Sequence, residues 1–407
     1  MTDCVESIRV NNSRLSNSIK RHSIEDSFVY YVLISLFCIN FLGRGSVFCL
    51  VFGLFAVVKT KNFKLDICSL FCFIMFLASC IASILYSDII EAIKCLNFFL
   101  MYIVGVSGYC NAVNKKKYIT MVLFSIFAGY ALYIVLTFFA NLNTVPEYDG
   151  QRVIKNFWTG ERISVTLVGL ISSVVIGYSG YVLLCKKKYL LKAVAIVSLI
   201  LVVLINSKTA TRTPILLIPI VIGGIFLIYL FNQNAYKALK ILFFILIVVI
   251  LAIFLINIDF LEIRTYIKST PIFTRFQKEG NKTSRVQIFQ IHLSYFFDYM
   301  WGGGNIQEAT RAMAHNFLQQ GHDLYGIFAT ISLVLITICV LRNMCKLLTK
   351  RKKNEIDYLF ISMYFAMLIQ SLLEPIFSGY PCFYFSFLLI HGVATGYVNN
   401  GYRYGEG

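Results

Sequence analysis

Charge is scarce in this 407-residue sequence: Asp, Glu, Lys and Arg make up 14% of it, where a soluble protein carries about 25%. Apolar residues reach 58% and mean hydropathy is +0.73, which excludes a soluble enzyme, a disordered chain and an ordinary secreted domain. Negative charge is scarcer still, with 20 acidic residues against 37 basic ones. In a soluble chain that balance would suggest nucleic acid; among long apolar runs it reports membrane topology instead, and no nucleic-acid partner is expected. Also missing are a phosphate-cradling glycine loop, His-Glu-x-x-His, Cys-x-x-Cys, Gly-x-Ser-x-Gly and the Asp-x-Asp of metal-dependent sugar-nucleotide enzymes. The first 27 residues are polar and basic with no small-residue cleavage pattern, so no removable signal peptide is expected.

Twelve cysteines are present, but the two longest polar loops contain none. Disulfides and a cysteine-based metal site are therefore not expected, and the cysteines read as small hydrophobes.

What is present is a series of apolar runs near the ~20 residues that a helix needs to cross hydrocarbon. Twelve are predicted, over 28–43, 46–58, 67–86, 89–110, 118–140, 163–184, 189–206, 213–231, 239–257, 324–341, 358–374 and 380–398. The first two are short, joined by Gly43-Arg44-Gly45, and read as a tight helical hairpin. The expected fold is all-α, a polytopic membrane protein with a tail 1–27, nine helices in 28–257, one large loop 258–323, three helices in 324–398 and a tail 399–407. Placing the N-terminus in the cytoplasm puts 23 of the 37 cations in inner segments, as the positive-inside rule requires. The other cations are clustered. Arg264, Lys268, Arg275, Lys278, Lys282, Arg285 and Arg311 share the large outer loop, and an anionic ligand at the outer face is the simplest reason for them.

Three stretches could carry chemistry. The turn Asn206 to Pro214 reads as an N-cap at Thr213 with proline first in the next helix. Its helix dipole, free backbone N–H groups, Lys208 and Arg212 would together suit a phosphate, although both cations could equally reach toward lipid headgroups. In the loop, Ser284 to Leu293 has helical spacing with Arg285 at its start, and Gly302-Gly303-Gly304 breaks the helix, as a ligand-approach site or a hinge. His315-Asn316 then precedes a helix. A lone histidine is often structural, and His322, seven residues on, supplies no third metal ligand. Glu147 and Asp149 read as a solvated turn.

This constellation resembles the O-antigen ligase and O-antigen polymerase superfamily. The resemblance covers about 205–330: Thr209 to Leu217 with Arg212, the Arg285-led helix, the glycine turn, and His315-Asn316 followed by Gly326. It implies an integral membrane glycosyltransferase that takes an undecaprenyl-diphosphate-linked glycan and passes it to an acceptor, lipid A core or a growing glycan, at the periplasmic face of the bacterial inner membrane. Arg212 and Arg285 would hold the diphosphate, His315 would activate the acceptor hydroxyl, and Lys208, Asn316, Gly303 and Gly304 would line the substrate site. No cofactor or metal is implied. Thr211 to Leu217 and Ala128 to Tyr133 look more like enterobacterial ligases. Ala329 stands where the ligases often carry glycine, and the interval from Arg285 to His315 is compact, as in a repeat-unit polymerase. A lipid-linked glycan flippase is the rival of another class; it should carry paired halves and charges along a central pathway, whereas here the unusual cations gather at one face.

Overall fold

With no water in hydrocarbon to satisfy backbone polar groups, long apolar runs have only the helix or the closed barrel open to them. The computed structural model describes residues 27–60, 62–143, 153–232, 285–311, 313–377 and 380–401, with six isolated positions between 236 and 273. In order, the helices are α1 (Phe28–Cys38), α2 (Gly45–Lys59), α3 (Ile67–Tyr86), α4 (Ile89–Asn111), α5 (Lys115–Ala140), α6 (Val165–Cys185), α7 (Tyr189–Lys208), α8 (Arg212–Phe231), α9 (Arg285–Ser294), α10 (Asn305–Thr310), α11 (Phe317–Thr349), α12 (Glu355–Leu373) and α13 (Pro381–Gly401). Among the described residues, nine of them, α3 to α8 and α11 to α13, are long and apolar enough to cross a bilayer. The chain is an all-α, multi-pass membrane protein. The short helices α1 and α2 form the expected hairpin, closed by a 3-10 turn at Phe41–Gly43. The expected span 239–257 apart from Leu239 and Phe243, the pair Glu147 and Asp149, and the loop cations from Arg264 to Lys282 other than Lys268 lie outside the described residues.

One feature departs from an all-helical reading. Strands β1 (Val153–Lys155) and β2 (Arg162–Ser164) pair antiparallel, with Ile154 opposite Ile163. Gly160, at φ +70°, lies in the connecting turn, and Trp158 Nε1 donates to Ile39 O at 3.1 Å, fixing the ribbon to the end of α1.

Helix ends follow local chemistry. Asp66 and Ser69 form a capping box on α3, Asn354 and Asp357 another on α12, and Asn114 caps α5. The middle of the bundle is α6 and α13, each with 89% of its span buried, whereas α7 and α8 bury 22% and 28% and turn apolar side chains such as Ile200 and Leu216 outward. That outward face belongs in lipid. Helix α13 meets α4 backbone to backbone at Gly105 and Gly392: a Cβ on Gly392 would come within 2.3 Å of Tyr102 O. Small residues permit this approach where no hydrophobic effect drives helices together. Tyrosines add cross-helix hydrogen bonds, Tyr30 to Tyr118 at 2.8 Å and Tyr130 to Ser386 at 2.7 Å. Every described cysteine is free, and six are buried.

Alternate helix ends gather at the two ends of the bundle. The basic end holds Lys115 to Lys117, Lys186 to Lys188 and Lys350 to Lys353, cross-linked by Lys186 to Glu355 and Lys350 to Asp357, each at 2.8 Å. The opposite end holds the ribbon, the α7–α8 turn, α9, α10 and the α12–α13 connection. There Tyr325 donates to Glu91 at 2.6 Å, and Lys208 donates to the Asn141 and Leu142 carbonyls.

Candidate functional site at the end opposite the lysine clusters

The α7–α8 turn is a Schellman motif. Thr211 N donates to Asn206 O at 2.9 Å and Ala210 N to Ser207 O at 3.2 Å, with Ala210 left-handed at φ +51°. Consequently α8 starts at Arg212 with Thr211 as its N-cap, not at Pro214 behind a Thr213 cap as the sequence suggests. Pro214 becomes the third helical residue, where its missing N–H still falls among the first-turn donors that a helix leaves unused. Arg212 and Thr213 thereby occupy the first two positions.

Helix α12 ends at Glu374 because Pro375 follows: the residue before proline is pushed out of the helical region, and Glu374 is extended at φ −135°, ψ 151°. Phe377 N donates to the buried Gln320 Oε1 at 2.6 Å and pins the connection behind it. The Glu374 side chain, only 3% exposed, turns into the bundle end. Its Oε1 accepts from Arg285 at 2.9 Å and from Thr213 Oγ1 at 3.1 Å, and Arg285 also donates to Leu373 O at 2.8 Å. These bonds use two of the five N–H donors of the guanidinium. Glu374 Oε2 is buried with no hydrogen-bond partner. One carboxylate thus ties the first turn of α8 to the start of α9.

His315 stands in the same electrostatic environment. Burial, then the Arg285 and His292 charges, hold its pKa below the ordinary 6.5, against an upward pull from Glu374. Its Nδ1 is buried without a hydrogen-bond partner. A neutral imidazole with an open nitrogen is a base in its working form at neutral pH.

The other expected residues are placed differently. Asn316 is the N-cap of α11: its Oδ1 accepts from Gln319 N at 2.9 Å and its amide donates to Gln319 Oε1 at 2.8 Å. Lys208 holds the end of α5, as described above. Gly303 N and Gly304 N donate to Leu324 O and Asp323 O at 3.0 and 2.7 Å, and a Cβ on Gly303 would strike the Tyr86 ring at 2.4 Å. The glycine turn therefore packs against α3 and the break in α11 at Gly326, where φ is +82°. His322 stacks on Phe296, centroids 4.0 Å apart. A cavity of about 410 Å³ adjoins the cluster, lined by Asn316, Gln319, His292, His322, Phe296 and Leu372 among others. Among the described residues, no three His, Cys, Asp or Glu side chains are grouped to hold a metal.

Two residues escape the sequence reading. Glu374 is one; its signal is a carboxylate flush against the end of an apolar span and followed by proline, in a chain with few carboxylates. Gln370, one turn earlier, is fully buried with both amide atoms lacking hydrogen-bond partners. It lies beside Thr211 and Pro214, since all three would touch a Cβ placed on Gly169. No family model matches this chain, and neither does any curated protein searched.

Proposed function

We propose that the chain is a membrane glycosyltransferase that moves a glycan from an undecaprenyl-diphosphate carrier to an acceptor hydroxyl at the periplasmic face of a bacterial inner membrane, most simply as an O-antigen ligase acting on lipid A core. The observation that carries this reading is the cluster of half-buried Arg285, Thr213 and His315 around the buried Glu374, with Arg212 adjoining it in the chain. In the reaction, the acceptor oxygen bonds to the anomeric carbon as the bond from that carbon to the diphosphate oxygen breaks. His315 takes the acceptor proton. The departing diphosphate gains negative charge, which Arg212 and Arg285 offset through charge-assisted hydrogen bonds. Glu374 is a positioning residue: it fixes the Arg285 fork and the Thr213 hydroxyl at one point. The twelve-span plan, with both ends of the chain cytoplasmic, puts this cluster outside.

A repeat-unit polymerase would use the same donor with a different acceptor, and the compact interval from Arg285 to His315 favours it. A deletion strain separates the two. Loss of polymer on the core with long lipid-linked chains retained is the ligase outcome, and single-repeat capping is the polymerase outcome. Purified protein supplied with lipid-linked donor and acceptor should turn over in excess EDTA. Loss of turnover restored by Mg²⁺ or Mn²⁺ would refute a reaction driven by guanidinium groups alone.

A further inference from the structure

A second cavity lies at the other end of the bundle, away from Arg285 and Glu374. It measures about 700 Å³ and opens where the start of α5, the ends of α6 and α8, and the α11–α12 connection meet. Four cations line it, Lys116, Arg351, Lys352 and Lys353, against one carboxylate, Glu355. Lys186 already neutralises that carboxylate at 2.8 Å. The run of four basic residues here is divided in two by the fold. Lys350 turns inward to Asp357 and Tyr397, while Arg351, Lys352 and Lys353 line the cavity. Lys353 keeps one bond, to Lys350 O at 2.9 Å.

The positive-inside rule accounts for basic residues at this end, but it does not require them to converge on a cavity. Nor does it account for the apolar and aromatic side chains that share the lining with Cys185, Asn232 and Asn354: Leu184, Tyr229, Ile356 and Tyr358, with the Tyr229 and Tyr358 rings 5.8 Å apart. Phe231, which precedes the lining residue Asn232, is 86% exposed. Cations on one side and apolar side chains on the other describe an amphiphile whose polar part is an anion. A soluble phosphate would have no use for the apolar wall.

We propose that this cavity binds the headgroup of an anionic phospholipid, its phosphate among Lys116, Arg351 and Lys352 and its glycerol and first acyl carbons against Leu184, Tyr229 and Ile356. Helices α5 and α12 both begin here, so their dipoles add to the attraction for phosphate. The site is independent of the catalytic reading and would stand if that reading failed.

Native mass spectrometry of the purified full chain, equilibrated with short-chain phosphatidylglycerol or phosphatidylcholine, tests it. Phosphatidylglycerol should be retained about tenfold more than phosphatidylcholine, and a variant carrying R351Q, K352Q and K353Q should lose that preference. A control carrying K64Q, K187Q and K188Q removes three exposed cations from the same end but outside the cavity, and should keep it. Ile356→Glu keeps every cation yet puts a carboxylate in the cavity; it should also lose the preference, and covers the case in which the triple variant fails to fold. Equal loss in the control would reduce the effect to diffuse surface charge and overturn the site. Displacement of the lipid by millimolar inorganic phosphate, or equal retention of both lipids, would overturn the lipid assignment.

Discussion

Helix α12 carries a buried carboxylate at each end, and the two are held in opposite ways. Asp357, in the first turn, is fully buried. It receives Lys350 on both oxygens, Tyr397 on Oδ1 at 2.9 Å and the Asn354 N–H on Oδ2 at 2.7 Å. It also sits where the helix dipole favours negative charge. Glu374 caps the other end, where the dipole opposes it, and its Oε2 has no hydrogen-bond partner. Stability alone does not explain a carboxylate in that position, since an unpaired buried oxygen and an unfavourable dipole both cost free energy. Asp357 closes a joint, whereas Glu374 holds Arg285 and Thr213 in place and leaves one oxygen without a hydrogen-bond partner.

The widest separation of the two carboxylates should appear in activity. Glu374→Gln and Arg285→Ala should each lower glycan transfer about 10²–10³-fold, the size of losing a preorganised charge donor, at similar membrane levels. Arg285→Lys should rescue poorly because an ammonium lacks the bidentate fork. Asp357→Asn should leave the activity of each folded molecule within about threefold, since it removes no group from the site. His315→Ala should cost about 10²–10⁴-fold as the loss of a general base, and His322→Ala little. Transfer measured in proteoliposomes with each variant decides; full activity in Arg285→Ala would remove that residue from the mechanism and Glu374 with it.

Stability should separate them in the reverse sense. Breaking a buried ion pair costs about 3–5 kcal/mol, and because the Lys350 side chain is 37% exposed, about 1–3 kcal/mol is the expected loss for Lys350→Met. Glu374→Gln should lose less, because the amide oxygen can still accept from Thr213 and Arg285. Thermal unfolding in detergent distinguishes the two; a larger loss for Glu374→Gln would make that residue the joint.

The sequence revealed what repeats and concealed what converges. Apolar runs of helical length, the α1–α2 hairpin around Gly43 and the cationic ends of alternate helices are local signals, readable one window at a time. Arg285 was legible as the first residue of a helix, and His315 as the residue before a cap. Glu374 was not, because its role depends on α8, α9 and α12 ending together, a meeting that no spacing within one segment encodes. The same limit explains Asn316, Lys208 and the three glycines. Each is a residue type suited to a ligand site, and each also serves as a cap, a helix tie or part of a tight turn, a structural role that only the packed bundle shows. The ribbon at Val153 and Arg162 went unseen because two three-residue strands have too short a period to register.

The smallest expected difference lies in pH dependence, and it tests whether the cluster acts as one electrostatic unit. His315 must be neutral to accept a proton. With its pKa held below 6.5 by burial and by the Arg285 and His292 charges, transfer should be at its plateau at neutral pH and fall only on the acid side of 6.5. Glu374 raises that pKa, so Glu374→Gln should move the acid limb to still lower pH. Arg285 lowers it, so Arg285→Gln should move the limb up. Asp357 lies about 25 Å away along the same helix, where a Coulomb interaction is several times weaker than at contact, and Asp357→Asn should leave the limb in place. Residual transfer against pH, or direct titration of the imidazole by ¹⁵N NMR, reads the shift. An upward move in Glu374→Gln would mean that the carboxylate does not act on His315, and the two ends of α12 would then differ in packing alone.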